Sequence, residues 1–279
     1  MIVIESKGIT DVGKKRPHNE DALFVDDELR LYIVADGMGG HQAGEVASEL
    51  VVETIRDYMK RFWAGEQVEE LADSDETLSR EANRLISGIL LANRGVYQVS
   101  QSHESYRGMG STLSAAYFTD ETLIVANVGD SPIYLVHNGN IELLSVTHNV
   151  VSEQAAINPE VAERLSDEIK RLLTRAMGIE ETVEPDVCEI QFFKDDILVI
   201  SSDGLSDLVS PDEILGTVKN ERPQRACRKL VELANERGGH DNITVIVLKI
   251  KTTGEKTGIF SGVISRSARG LIEMLRRYT

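Results

Sequence analysis

The sequence predicts an α+β layered domain, with antiparallel sheets packed on each other and helices outside. Three observations carry this. Short runs rich in Val, Ile and Leu come as neighbours with hairpin signals, Asp120-Glu121 between two of them and Asn138-Gly139-Asn140 after another. Helical patterns come in pairs. The strict strand–helix alternation of a parallel sheet is missing.

In chain order, the apolar runs predict strands at Leu31–Ala35, Thr112–Phe118, Leu123–Val128, Ile133–His137, Val187–Phe192, Ile197–Ser201 and Ile243–Ile250. Val46, Leu50, Ile55, Met59 and Phe62 recur as one face of a helix from about Ala43 to Trp63 requires. Leu78, Ala82, Leu85, Ile89, Ala92 and Val96 do the same for a second helix. Between them, Glu66 to Glu76 is polar and acidic, the composition of a solvated connection. Ser210-Pro211-Asp212-Glu213 reads as a helix start, with Ser at the cap, Pro first and Glu third. A last helix, about Gln224 to Arg237, ends at Gly238-Gly239. Residues 252–258 read as a linker, so the body is expected to span 1–251, followed by a linker and basic segment over 252–279.

A length of 279 residues allows one large domain or two small ones with a sizeable core. With 41% apolar and 27% charged residues the composition is that of a soluble globular protein. No apolar run approaches the ~18–20 residues that span a bilayer, and the N-terminus lacks the features of a signal peptide. Cys188 and Cys227 are too few for a disulfide framework, which predicts a reducing, cytoplasmic setting. Each is expected in the core, Cys188 in a strand and Cys227 on a helix. The net charge of −16 repels a phosphate backbone and argues against nucleic acid as a partner. The last 28 residues carry +3, leaving −19 on the body.

Strand after strand ends beside an aspartate. Ile33-Val34-Ala35 runs into Asp36-Gly37, Asn127-Val128 into Gly129-Asp130-Ser131, and Ile200-Ser201-Ser202 into Asp203-Gly204; Gly239-His240-Asp241-Asn242 opens the last strand. Any one of these reads as an ordinary turn. Together, carboxylates converging on one rim of a sheet would repel one another unless a cation sat between them. Hard divalent ions such as Mg²⁺ and Mn²⁺ take oxygen ligands, and no Cys/His cluster has zinc spacing. Gly37 lets the backbone approach an ion closely. Arg16-Pro17-His18-Asn19-Glu20-Asp21 is either a charged loop before a strand or an arginine fork for phosphate.

The motifs R-P-H-N-E-D (16–21), A-D-G-M-G-G-H (35–41), G-M-G-S-T (108–112), V-G-D-S (128–131), S-D-G-L-S-D (202–207) and G-G-H-D-N-I-T-V (238–245) occur in this order. The set resembles the metal-dependent serine/threonine protein phosphatases of type 2C, in their bacterial form, over about residues 5–250. The resemblance implies a sandwich of two antiparallel β-sheets flanked by pairs of α-helices, with residues 1–251 as the catalytic domain. It implies two Mn²⁺ or Mg²⁺ ions, with a weaker third. Asp36 would bridge two ions and the Gly37 carbonyl would bind one. Asp203 and Asp241 would complete the other shell, while Glu20 and Asp21 would act through metal-bound water. Asp130 and Asp207 match positions that hold the third ion, and Arg16 matches the phosphate-binding arginine.

The chain departs from the family pattern at Pro132, where Arg is usual, and at Asn149, where an aspartate is usual near the third ion. Residues 149–170 correspond to a variable flap beside the site. The implied reaction is attack on a phosphoserine or phosphothreonine ester by hydroxide held between two ions, the charge being spread by the ions and Arg16. His41 is the candidate acid for the leaving oxygen, with His240 a second; Asn127, His148 and Asn242 are expected to hold the rim by hydrogen bonds. The implied partners are a phosphorylated protein and a Ser/Thr kinase or its targets. The pattern from Phe260 to Tyr278 suits an amphipathic basic helix that docks on its own domain, on a second copy, on another partner or on a membrane surface. Two readings compete: a non-catalytic binding module, which would have no need of Asp36, Asp203 and Asp241 together, and a phosphatase for small esters, which would need a tight polar pocket.

Overall fold

The computed structural model describes residues 2–39, 43–68, 71, 75–252 and 265–266. The chain begins with β1 (Val3–Asp11), β2 (Asp21–Asp26) and β3 (Leu31–Met38), then the long helices α1 (Ala43–Trp63) and α2 (Arg80–Ser102). Five strands follow: β4 (Gly110–Ser111), β5 (Leu113–Phe118), β6 (Leu123–Val128), β7 (Ile133–His137) and β8 (Asn140–Leu143). Three short helices, α3 (Val150–Ile157), α4 (Pro159–Glu163) and α5 (Asp167–Lys170), lead to β9 (Asp186–Ile190) and β10 (Ile197–Ser201). The chain continues with α6 (Asp203–Ser206), α7 (Pro211–Asn220), α8 (Pro223–Glu236), β11 (Ile243–Thr252) and the two-residue β12 (Ser265–Arg266).

The strands form two sheets, ordered β1-β11-β10-β7-β8 and β12-β9-β6-β5-β3-β2, with β4 attached to β3. The described strand pairs are antiparallel. The layering follows from the two-residue period of a strand. In β3, Tyr32 and Val34 face the other sheet and pack with Phe118, Ile200 and Leu248. Leu31, Ile33 and Ala35 face the opposite way, into a core shared with Val51, Ile55 and Met59 of α1 and Leu85 and Ile89 of α2. In β11, Ile246 and Leu248 lie between the sheets, while Val245 and Val247 pack with Leu230 and Ala234 of α8. The result is four layers, helices–sheet–sheet–helices. Because both faces are covered, these strands read as continuous apolar runs rather than alternating ones.

The turns behave as their residues dictate. Asn138 and Gly139 both have positive φ, 50° and 82°, as the tight β7–β8 hairpin needs. Ser210 and Glu213 close a reciprocal capping box at α7. The buried stripe of α1 runs through Ala47, Val51, Ile55 and Met59, so Val46, Leu50 and Phe62 lie at its edge.

Several expectations need correction. The run Thr112–Phe118 is broken at Thr112, whose backbone N–H donates to the Asp36 carbonyl at 2.8 Å instead of extending β5. The strand expected at Val187–Phe192 begins at Asp186 and stops at Ile190. The sequence pattern missed β1 and β2, which have mixed polar and apolar residues, and β8, which is short and largely exposed. In the tail, Ser265 and Arg266 are extended and pair with Glu189 and Cys188 of β9 rather than forming helix. The rest of the predicted tail helix lies outside the described residues.

Candidate metal centre

The site lies where both sheets bring strand ends to one edge. Asp36 stands near the end of β3 and pairs in register with Asp21 at the start of β2. Asp130 occupies the β6–β7 turn, Asp203 follows β10, and Asp241 precedes β11. Arg16, Glu20, Asp36, Asp130, Asp203 and Asp241 all line one open cavity of about 730 Å³. Asp21 and Asp207 lie outside that lining. His41 lies outside the described residues. His240 is exposed next to Gly238 and does not line the cavity.

The scaffold behind the acids is built from short polar side chains. Thr112 Oγ1 accepts the Asp36 backbone N–H at 3.0 Å and shares a 2.8 Å hydrogen bond with Ser131 Oγ. Asp21 Oδ2 accepts from Ser202 Oγ at 2.8 Å and Thr244 Oγ1 at 2.6 Å. Asn242 accepts the Glu20 backbone N–H at 2.8 Å and donates to the Val12 and His18 carbonyls. Asn127 both accepts from and donates to the Val146 backbone. Gly37 is required by space: a Cβ there would lie 2.0 Å from the Gly44 carbonyl oxygen and 2.5 Å from that of Glu20.

The electrostatics show what the residues lack. Burial is the largest cause raising Asp36 well above the usual carboxylate range, and the charges of Asp21, Asp203, Asp241 and Asp130 add to it. Burial likewise pushes Asp203 up to about 7 and Asp21 up to about 6, the latter against hydrogen bonds from Thr244 and Ser202. Three buried carboxylate oxygens, Glu20 Oε1, Asp21 Oδ1 and Asp203 Oδ1, have no hydrogen-bond partner. Buried polar atoms are normally satisfied, and acceptor-only oxygens in this number call for a hard cation. Among the described residues no three acidic, histidine or cysteine side chains form a closed ligand array. Acids this close repel one another unless a counter-charge sits between them, which a cation held by these residues would supply. One counter-charge is internal: Arg16 Nη2 donates to Asp241 Oδ2 at 2.7 Å.

The expected third-ion residues are differently partnered. Arg171 Nη2 lies 3.3 Å from Asp207 Oδ2, and Asn149 Nδ2 lies 3.5 Å from Asp130 Oδ2. His148 is buried; its Nδ1 accepts the Gly129 N–H at 3.0 Å and its Nε2 meets Asp186 Oδ2 at 2.7 Å. Arg175 donates to the same oxygen at 2.8 Å. The sequence reading missed Arg171, Arg175 and Thr112 as cavity residues, and Ser202 and Thr244 as supports of Asp21. Thr112, Ser202 and Thr244 each fall within a recognised motif, but nothing local marks the two arginines, which the segment after α5 brings to the basin.

Comparison with known proteins gives a consistent picture. The family model described as Protein phosphatase 2C matches residues 13–241. A serine/threonine phosphatase, stp, of Listeria monocytogenes is 36% identical over 247 residues, covering 86% of this chain and 93% of the relative. The solved serine/threonine phosphatase PstP/Ppp of Mycobacterium tuberculosis superposes with a TM-score of 0.75 at 29% identity, over 90% of this chain and 100% of that one. Another structure with the same TM-score, of the PstP catalytic domain, is in complex with two manganese ions.

Proposed function

The chain belongs to the protein phosphatase 2C family, and on that premise we propose that its acidic basin removes the phosphoryl group from phosphoserine and phosphothreonine in proteins with two divalent ions, Mn²⁺ or Mg²⁺. As a member of this family it is a divalent-metal-dependent protein-serine/threonine phosphatase. The observation that carries the site assignment is the set of buried, unpartnered oxygens on Glu20, Asp21 and Asp203 beside the crowded Asp36. Asp36, the Gly37 carbonyl, Asp203 and Asp241 would hold the ions, with Glu20 and Asp21 behind them. Bound there, the ions would supply Lewis acidity toward phosphoryl oxygens and an acidified water at neutral pH.

The chain's own residues do the rest. Arg16 turns its guanidinium fork from Asp241 to two phosphoryl oxygens and offsets the charge that develops on them. Thr112 fixes the backbone of Asp36, and Ser202 with Thr244 fixes Asp21, so the acids are positioned before substrate arrives. His41 is our candidate for returning a proton to the seryl or threonyl oxygen. Asp130 and Asp207 form a weaker third place, already partly served by Asn149 and Arg171.

We read residues 1–251 as the catalytic domain and 252–279 as a linker and basic segment. The pairing of Ser265–Arg266 with β9 supports docking of that segment on its own acidic domain, over a partner or a membrane surface. We place the protein in a cytoplasmic setting, in keeping with two buried thiols that form no disulfide, and opposite a Ser/Thr kinase or its targets. The test is hydrolysis of a phosphothreonine peptide with Mn²⁺ and with EDTA, beside Asp203→Ala. Activity that needs the metal and falls at least about 100-fold in the variant is expected. Folded protein that is inert with every divalent ion would overturn the enzyme reading in favour of a binding module.

A further inference from the structure

The basin has two unlike sides. One carries the strand-end acids and Arg16; the other carries Leu172 and Ile179, with Glu180 and Glu184, from the segment between α5 and β9. Leu172 and Ile179 remain 56% and 46% exposed although they line a concave wall. A single exposed apolar side chain needs no explanation, but these line one cavity together with Met38. A Cβ on Gly110 would lie 2.8 Å from Met38 Cε and 2.9 Å from Ile179 Cδ1, so the two side chains meet over that glycine. Met38 is on the same strand as Asp36, two residues further on. At 730 Å³ the cavity is in the range that encloses a drug-sized ligand, well beyond one phosphorylated side chain.

The two arginines on the same wall are already committed, and the other charged groups there, Glu180 and Glu184, are acidic. Arg171 faces Asp207 at 3.3 Å, and Arg175 is bound to Asp186 at 2.8 Å. An acidic substrate residue would have to displace those partners and approach a chain of net charge −16. The apolar shelf has no such competitor. Met38, its member on β3, lies two strand residues from Asp36, about 7 Å, which matches the spacing of side chains i and i+2 on one face of an extended peptide.

We propose that the Met38–Ile179–Leu172 shelf receives an apolar side chain of the substrate polypeptide beside the phosphorylated residue, so that the enzyme selects phosphosites with a Leu, Ile, Val or Met two positions away. This selection rests on the phosphatase reading above and adds a substrate class to it. Ile179 and Leu172 act here as specificity residues, remote from the reacting atoms.

The experiment compares phosphothreonine peptides with Ser at every flanking position against peptides with one Leu at −2, −1, +1 or +2, using wild type, Ile179→Ser and Leu172→Ser with Mn²⁺. Wild type is expected to favour a Leu at +2 or −2 by about tenfold in kcat/KM, expressed in KM. Both variants lose that preference and keep turnover of the all-Ser peptide and of p-nitrophenyl phosphate within about twofold of wild type. Equal kcat/KM for all peptides in wild type, or a Leu preference that survives in both variants, overturns the proposal. Peptides with a non-hydrolysable phosphonate in place of the phosphate, measured by fluorescence polarisation, separate the two readings. A Leu preference in binding that Ile179→Ser abolishes upholds the shelf even if no peptide is hydrolysed, an outcome that would overturn the phosphatase reading instead. Equal binding of Leu and Ser phosphonates by wild type overturns the shelf.

Discussion

Arg16 and Asp241, 225 positions apart in the chain, meet at 2.7 Å across the mouth of the basin. The pair joins the segment between β1 and β2 to the start of β11. Both side chains are substantially exposed, at 49% and 33%, and such a pair stabilises a fold by about 0–1 kcal/mol. Its value lies in holding a guanidinium over the acids at a distance from which it can exchange partners.

Arg16→Ala is therefore expected to change Tm by no more than about 4 °C in a domain of this size. Its kcat/KM for a phosphopeptide should fall about 100-fold, as for loss of one donor to a developing oxyanion. Arg16→Lys should recover little, because an ammonium lacks the planar fork. Thermal melts beside steady-state kinetics check both parts, and a loss of Tm matching the loss of activity would contradict them.

The raised acids give the metal-free protein a pH signature. Asp203 is pushed up to about 7 and Asp21 to about 6, from free values near 4. Between those limits the folded state binds more protons than the unfolded chain, so stability is full below the free values and is lost as pH rises through 6 and 7. In EDTA, Tm should fall from pH 5 to pH 8. Saturating Mn²⁺ should flatten or reverse that slope, since the ions replace the protons as counter-charge. Asp203→Asn should make it shallower without metal, since the raised acids Asp21 and Asp36 remain. A metal-free Tm that rises over this range would refute the assignment.

Much of this was legible because each aspartate sits at the end of an apolar run. Asp36, Asp130, Asp203 and Asp241 could be placed at strand ends, and convergence then follows from the sheets. Their supports were harder to read. Ser202 and Thr244 stand within quoted motifs, but nothing local shows that they contact Asp21, from more than 180 positions away. Arg171 and Arg175 reach the basin through a segment whose helices have weak amphipathic patterning. Strands β1 and β2 escaped notice because their polar and apolar residues do not alternate cleanly.

Gly37 should tolerate no side chain. A Cβ would press on two backbone carbonyls, at 2.0 and 2.5 Å, and neither can swing away as a side chain can. Gly37→Ala is expected to cost about 1–3 kcal/mol by overpacking, seen as a lower Tm, and to abolish metal-dependent turnover. Gly216→Ala is the contrast, since it lies in α7 with nothing within 4 Å of a new Cβ. That change should raise stability by about 0.4–1 kcal/mol and leave kinetics unchanged.

Asn149 and Arg171 bear on the number of ions. Arg171 places a positive charge beside Asp207, and Asn149 supplies an amide beside Asp130 where an acid would add charge. The double variant Asn149→Asp with Arg171→Ala should bind one more Mn²⁺ than wild type in isothermal titration at millimolar metal. Equal stoichiometry in the two proteins would show that neither residue limits the third place.

His148 should matter more to stability than to chemistry. Its Nδ1 accepts the Gly129 N–H, which leaves the proton on Nε2 to be donated to Asp186. Asp186 also holds Arg175, so one buried carboxylate ties the turn carrying Asp130 to the end of the flap segment. Burial alone would raise Asp186, but the hydrogen bond from His148 and the hydrogen bond and charge of Arg175 outweigh it and leave the acid below its usual range. The stability this contributes is present above the free carboxylate pKa and is lost on acidification through the depressed value. His148→Ala strips the Gly129 N–H and half the partners of a buried charge, at a cost of about 3 kcal/mol. Asp186→Asn removes the charge itself, so in the double variant the cost of His148→Ala should shrink by at least about 1 kcal/mol. Urea unfolding of the four proteins at pH 7 measures this coupling, and strict additivity would mean that the two residues stabilise the fold independently.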